Sequence, residues 1–255
     1  MHYEIHGADN RPTVLLSSGL GGAAQYWIPN LPTLAARFRV ITYDQSGTGR
    51  SPAELPDGYA MADMAADVAS LLDNLGIERC HFVGHALGGL IGLQLAVMRP
   101  TLLDRMVLVN AWAKTHPHTL RCFAARKNLL LNSGTTAYVA AQPLFLYPPD
   151  WMASRTAWLA EQDAAGVTHF PGAESVLRRI GAIEAFDLSD QVGQIPHPTC
   201  VIAARDDMLV PSGCSVALAE ALPNGELVLF ERGGHACNVT DADGFDAALL
   251  AFLGR

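Results

Sequence analysis

Phe82-Val83-Gly84-His85-Ala86-Leu87-Gly88-Gly89-Leu90-Ile91 is the stretch on which the reading of this chain turns. A β-rich run from Cys80 to Val83 enters the glycine turn, and an apolar segment from Leu87 to Met98 leaves it as a helix that Pro100 ends. A strand turning directly into a helix strains its central residue, and flanking glycines let the two elements approach closely. That strain is on the order of 1–3 kcal/mol, and here an alanine carries it. The turn has the form G-x-S-x-G with Ala86 where the serine belongs. Alone, two glycines four apart mark only a tight β-to-α connection. The strand before and the apolar helix after give the pattern its weight.

Outward from this turn, short β-rich runs alternate with helical segments. Thr13–Ser17 and Arg39–Tyr43 read as strands, with a helical stretch from about Ala24 to Arg37 between them, interrupted by Pro29 and Pro32. From Met61 to Leu75 the apolar residues Met61, Met64, Ala65, Val68, Leu71, Leu72 and Leu75 share one helical stripe, and Gly76 supplies the stop. Arg105–Val109 is the next strand. From Trp112 the alternation lapses, which predicts a helical cap inserted over residues 112–190. Order resumes with a strand at Thr199–Ala203, a helix from about Cys214 to Ala221, a strand at Glu226–Phe230 and a helix near Gly244–Leu253. Residues 1–111 and 191–255 thus predict an α/β core, a mostly parallel sheet with helices on both faces.

The 255 residues suffice for one large core, since half are apolar and 16% are charged. A formal charge of −8 argues against nucleic acid or an anionic membrane as partner, though not against a small anionic substrate. No basic-then-apolar leader is visible and the apolar run at Leu90–Met98 is too short for a bilayer, so a soluble cytoplasmic protein is expected. Cys80, Cys122, Cys200, Cys214 and Cys237 are odd in number and lack C-x-x-C spacing, which fits free packing thiols. His116-Pro117-His118 has no third ligand in view and reads as a surface loop, so no metal is expected. The glycine turns match neither a Walker nor a G-x-G-x-x-G pattern, so no cofactor is expected.

Three further motifs lie just past predicted strands, where open α/β sheets place their ligands. They are Ser18-Gly19-Leu20-Gly21-Gly22, Asp206-Asp207-Met208-Leu209-Val210-Pro211 and Gly233-Gly234-His235-Ala236-Cys237-Asn238. With the turn at Ala86 they resemble the α/β-hydrolase superfamily over the whole chain outside the cap. The order Ala86, Asp207, His235 reproduces that superfamily's nucleophile, acid and histidine. The resemblance implies His235 as general base, Asp207 as its orienting acid, and the amides of Leu20 and Leu87 as an oxyanion hole. Asp206 reads as an ordinary turn aspartate. Asn110, at the superfamily's alternative acid position, cannot ionise. His85 reads as a packed neighbour of the elbow, and Asp44-Gln45-Ser46-Gly47-Thr48-Gly49-Arg50-Ser51 resembles a structural turn of the superfamily with Ser46 in place of its arginine.

The cap narrows the match. Ala141-Gln142-Pro143-Leu144-Phe145-Leu146-Tyr147-Pro148, continuing to Asp150-Trp151-Met152, together with Gly234-His235-Ala236-Cys237-Asn238-Val239-Thr240, looks like the RutD family over essentially the full length. That resemblance implies alanine as a regular elbow residue, a homodimer, and a hydrolytic step on small products of uracil ring opening. The substrates it implies are carbamate, broken to ammonia and carbon dioxide, and aminoacrylate, converted to ammonia and malonic semialdehyde.

Such substrates have no need of a serine. Losing the nucleophile from acyl-enzyme chemistry costs on the order of a millionfold in kcat. Carbamate falls apart once its nitrogen is protonated, and aminoacrylate tautomerises to an imine that water attacks. Placed proton transfer contributes roughly 10²–10⁴-fold, a modest demand that suits them. The expected mechanism has His235 moving the proton in space vacated at Ala86, Trp112, Phe145 and Tyr147 excluding water, and Arg178 or Arg179 meeting the anion. Two other readings stay open at this point: a serine ester or amide hydrolase bearing an engineered change at Ala86, and a binding protein without turnover. Cys237 as nucleophile is a third, disfavoured because it lies two residues past the histidine.

Overall fold

Hydrophobic runs of four to seven residues set the architecture. The computed structural model describes residues 1–255, and its strands are β1 Tyr3–His6, β2 Thr13–Ser17, β3 Arg39–Tyr43, β4 Cys80–His85, β5 Leu103–Val109, β6 Thr199–Ala204 and β7 Gly225–Phe230. They form one sheet in the order β1-β3-β2-β4-β5-β6-β7, parallel throughout except for β1, which pairs antiparallel with β3. Every residue of β4 and β6 is buried, as expected of strands covered on both faces. The chain crosses from β3 over β2 to β4, so the order reverses between the ends of β2 and β4. A crevice opens at such a switch point, and the Ser18–Leu20 loop and the turn at Ala86 flank it.

The helices are α1 Leu31–Ala35, α2 Met61–Asn74, α3 Leu87–Met98, α4 Pro117–Leu146, α5 Pro149–Ala153, α6 Thr156–Thr168, α7 Ala173–Glu184, α8 Ser212–Ala221, α9 Cys237–Thr240 and α10 Ala242–Leu253. The stripe read for α2 is its buried face. Its end is a Schellman motif, in which Gly76 N–H donates to Asp73 O (3.1 Å) and Ile77 N–H to Leu72 O (2.9 Å). One apolar cluster packs α2, α3 and α8 against the sheet and runs on into the cap through Phe123, Tyr138 and Ile180. A second, holding Trp27, Phe245 and Phe252, fills the opposite face.

Three details differ from the sequence reading. The edge strand β1 has half its residues exposed and was not anticipated, because four residues give too short an alternation to register. The stretch from Ala24 to Arg37 is a 3₁₀ turn at Ala24–Trp27 followed by the short α1, the interruption Pro29 and Pro32 foreshadow. The cap's α4 is two helical pieces meeting at Gly134, whose φ of 81° is left-handed. Between β5 and β6 lie α4 to α7, and a bridge between Lys114 and Asp187 joins the two connecting strands of chain at their base. No helix is long and apolar enough to cross a membrane.

Candidate active site

The turn after β4 has nucleophile-elbow geometry. Ala86 sits at φ 47°, ψ −113°, one of two non-glycine residues with positive φ. Its amide donates to Val109 O (2.7 Å), which ties the strained residue to β5. A Cβ on Gly84 would lie 2.4 Å from Gly88 O, and one on Gly88 would lie 2.2 Å from Ser17 O. Only glycine allows strand, helix and neighbouring loop to meet this closely. Leu87 opens α3, so its amide is among the N-terminal donors a helix leaves free.

The histidine and its acid come from the two loops that follow β6 and β7. His235 Nδ1 and Asp207 Oδ2 are 2.7 Å apart, with side chains 2% and 0% exposed. Asp207 Oδ1 accepts from Leu209 N–H (2.8 Å) and Val210 N–H (2.9 Å), so both carboxylate oxygens are engaged. With Nδ1–H donated to Asp207, the lone pair of His235 is on Nε2, the arrangement of a base. Asp206, read from sequence as a plain turn residue, accepts from Gly234 N–H (2.8 Å) and so holds the histidine's turn.

Two residues from the sheet grip the same turn. Asn110 Nδ2 and His85 Nε2 both donate to His235 O, at 2.6 and 2.7 Å. Asn110 is the second strained position, at φ 49°. The His85 ring packs 4.7 Å from that of His235 and 4.8 Å from that of Tyr26. Burial, then the neighbouring His235, pushes His85 well below the ordinary imidazole value, so it is neutral. Asn238 anchors the far end of the turn: its Oδ1 accepts from Tyr26 OH (2.7 Å) and its Nδ2 donates to Asn30 Oδ1 (3.2 Å).

The Ser18–Leu20 loop is braced from the cap. Arg179 Nε donates to Leu20 O (3.1 Å) and its Nη2 to Gln45 Oε1, while Gln45 Nε2 donates to Ser18 O (2.7 Å). Arg179 is completely buried. Burial lowers it to about 10, with the nearby tyrosines pulling the other way, so it is charged at neutral pH. Its neighbour Arg178 faces outward and pairs with Glu174 and, at 2.9 Å, with Asp57. The structure thus separates two arginines that the sequence left as equals. The available signal was spacing, because Arg179 falls on the buried stripe of α7 with Val176, Ile180 and Ile183.

The remaining aromatic residues divide. Tyr147 stacks on Trp151 (4.7 Å between centroids), and the carbonyl of adjacent Leu146 accepts from Ala236 N–H (3.0 Å), so this part of the cap rests on the histidine turn. Phe145 packs in the cap interior, its ring 5.6 Å from the guanidinium carbon of Arg126. Trp112 instead bonds Thr115 at the cap's root (3.1 Å), where Thr115 reaches Ile183 O (2.6 Å), a packing role.

All five cysteines are free thiols, and burial raises Cys237 to about 12, too high for a thiolate nucleophile. His116 accepts from His118 N–H (3.1 Å) as the cap of α4 and His118 bonds Met208 O (2.8 Å), so that pair ties α4 to the acid loop. No group of three ligating side chains could hold a metal. Sequence reasoning missed Gln45, Tyr26 and Arg126; the turn after β3 was the signal for Gln45.

The chain resembles known proteins over nearly its full length. A family model described as alpha/beta hydrolase fold matches residues 12–242. A protein of Pseudomonas savastanoi pv. phaseolicola, named "Putative carbamate hydrolase RutD", is 54% identical over 99% of this chain and 98% of its own length. One of the same name from Agrobacterium fabrum is 51% identical over 99% and 98%. Among solved structures, the enol-lactonase of Burkholderia xenovorans LB400 superposes with a TM-score of 0.90 at 28% identity, covering 100% of this chain and 96% of that one. With the fold match and about half the residues identical over the full length, the chain belongs to the RutD family of α/β-hydrolase-fold proteins.

Proposed function

We propose that the chain hydrolyses a small C–N substrate with an Asp207–His235 couple as the proton shuttle, taking up a proton at Nε2 and passing it to the substrate, with no acyl intermediate on the protein. The observation that carries this reading is the buried 2.7 Å pair beside an elbow whose side chain is a methyl group. Carbamate, the substrate in the relatives' name, takes a proton on nitrogen, and the C–N electrons leave with that nitrogen to give ammonia and carbon dioxide. Aminoacrylate takes a proton on the carbon next to its carboxylate, water adds to the resulting iminium carbon, and ammonia departs to leave the aldehyde. Both need an acid–base group and neither needs Ser at position 86.

The surroundings suit such a step. Burial of the couple removes competing water and strengthens each electrostatic contact. On this reading the Leu87 and Leu20 amides bind a substrate oxygen, supported by the Arg179 guanidinium that donates to the Leu20 carbonyl. A cytoplasmic setting fits the five free thiols. The reading of an ester or amide hydrolase missing its serine is tested by Ala86→Ser, which on the present proposal gains no strong activity on activated esters. The main test is ammonia release from carbamate and aminoacrylate, corrected for the uncatalysed rate. His235→Ala and Asp207→Asn should each remove the enzymatic part; rates equal to the parent's would overturn the mechanism, and no rate above buffer in the parent would favour a binding protein.

A further inference from the structure

Asp246 is a buried carboxylate that the proposed mechanism does not use. It lies on the buried stripe of α10 with Phe245, Leu249 and Phe252, at 5% exposure. Burial raises its carboxyl above the ordinary value, hydrogen bonds from Thr33 and Asn30 pull the other way, and Asp243 adds a like charge. No cation offsets that cost, and a carboxylate buried without a counter-ion is expensive to keep. Asp246 also sits past the first turn of α10, where Asp241 is the cap, so capping does not explain it.

Its carboxylate ends a chain of buried amides that leads to the histidine turn. Asn30 Nδ2 donates to Asp246 Oδ1 (2.8 Å) and to the backbone carbonyl of Asn238 (3.2 Å). Asn238 Nδ2 donates in turn to Asn30 Oδ1 (3.2 Å), and Asn238 Oδ1 accepts from Tyr26 OH (2.7 Å). Asn30 and Asn238 are completely buried, so neither can trade a partner for water. Tyr26 lays its ring 4.8 Å from that of His85, and His85 donates to the carbonyl of His235 (2.7 Å). Asn238 itself lies three residues past His235. The chain therefore meets the base by two routes, through the backbone of its own turn and through His85.

An amide can turn end for end, and only its partners decide which way it points. A carboxylate only accepts, so Asp246 fixes the Asn30 amide with its nitrogen inward and its oxygen toward Asn238. That fixes Asn238 with its oxygen toward Tyr26 and commits the Tyr26 proton to it. A neutral amide at position 246 could donate or accept, and would leave the direction of every bond open. With Asn30 reversed, the Asn238 backbone carbonyl would lose its donor. We propose that Asp246 is a positioning residue for His235, setting through Asn30, Asn238 and Tyr26 the direction of the hydrogen bonds that hold the base's turn. Its effect on turnover rests on the hydrolase reading above; its effect on the geometry of the couple does not.

The test joins steady-state ammonia release from carbamate and aminoacrylate with the low-field NMR resonance of the His235 Nδ1 proton, which reads the bond to Asp207 without substrate. Asp246→Asn removes the charge at constant shape. It should lower kcat on the order of tenfold with KM nearly unchanged, short of the roughly hundredfold that a full ångström of misplacement costs. Tyr26→Phe keeps the ring on His85 but takes away the proton given to Asn238, and should lower kcat by a similar factor. The double variant should be no slower than the slower single one, because both changes break one chain. Each variant should also move the His235 resonance. If Asp246→Asn does not fold, Asp246→Ser, smaller and equally able to donate, takes its place. Parental kcat in either single variant, losses that multiply in the double, or an unmoved resonance would each overturn the proposal. A parent that releases no ammonia above buffer fails the hydrolase reading instead, and the resonance then decides the positioning role alone.

Discussion

The elbow at Ala86 and the turn at His235 lie side by side beyond the C-terminal ends of the parallel strands, yet they retain different things. The elbow has its full backbone geometry, with a positive φ and two glycines in contact distances no Cβ could share, but its side chain offers no chemistry. The histidine turn has every polar support: the Asp207 carboxylate on the ring, Asp206 on Gly234, and Asn110 and His85 on the His235 carbonyl. One region is held by its backbone alone and the other by a network of side-chain hydrogen bonds. On the mechanism proposed above, that contrast is the difference between proton transfer and covalent catalysis.

The sharpest break of this contrast is removal of the base or its partner. His235→Ala or Asp207→Asn should lower the enzymatic ammonia-release rate on the order of 10²–10⁴-fold, with the melting temperature nearly unchanged for Asp207→Asn. Next comes the elbow. Gly88→Ala drives a methyl into Ser17 O, and denaturant unfolding should show a loss of about 3 kcal/mol or failure to fold. Arg179→Met should raise KM more than it lowers kcat in steady-state assays if, as proposed, the loop it braces binds substrate.

Ala86→Gly should have a small effect of the opposite sign. It relieves strain of about 1–3 kcal/mol and adds about 0.5–1 kcal/mol of unfolded-chain entropy, so a net stabilisation near 1 kcal/mol is expected by chemical denaturation. The smallest effect concerns the neutral His85. Its unfolded value is 6.5 and its folded value lies far lower, so below about 6.5 the unfolded chain takes up a proton the folded one refuses. Stability is therefore full above that pH and declines as pH falls below it; His85→Gln should flatten this limb of a melting-temperature profile.

Much of the site was legible because local chemistry fixed it. The strand–glycine turn–helix pattern located Ala86, and the glycine-rich turn after the last strand located His235. Asp207 was implied by the superfamily resemblance, and its side chain lies at hydrogen-bond length from His235. Where the reading failed, the deciding contacts were distant in sequence. Asp206 is committed by Gly234 and Asn110 by the His235 carbonyl, partners 28 and 125 positions away that no local pattern reveals. Arg178 and Arg179 are adjacent and chemically alike, and only packing of α7 on α4 sends one inward.

By itself the sequence determined the α/β alternation, the strained turn and the residue types available for proton transfer, since periodicity, glycine placement and side-chain chemistry are local properties. The tertiary structure alone decided which carboxylate meets the imidazole, which of two adjacent arginines is buried, and which cap residues rest on the histidine turn. Burial and hydrogen-bond distance are set by segments brought together from opposite ends of the chain, and no window of sequence contains both.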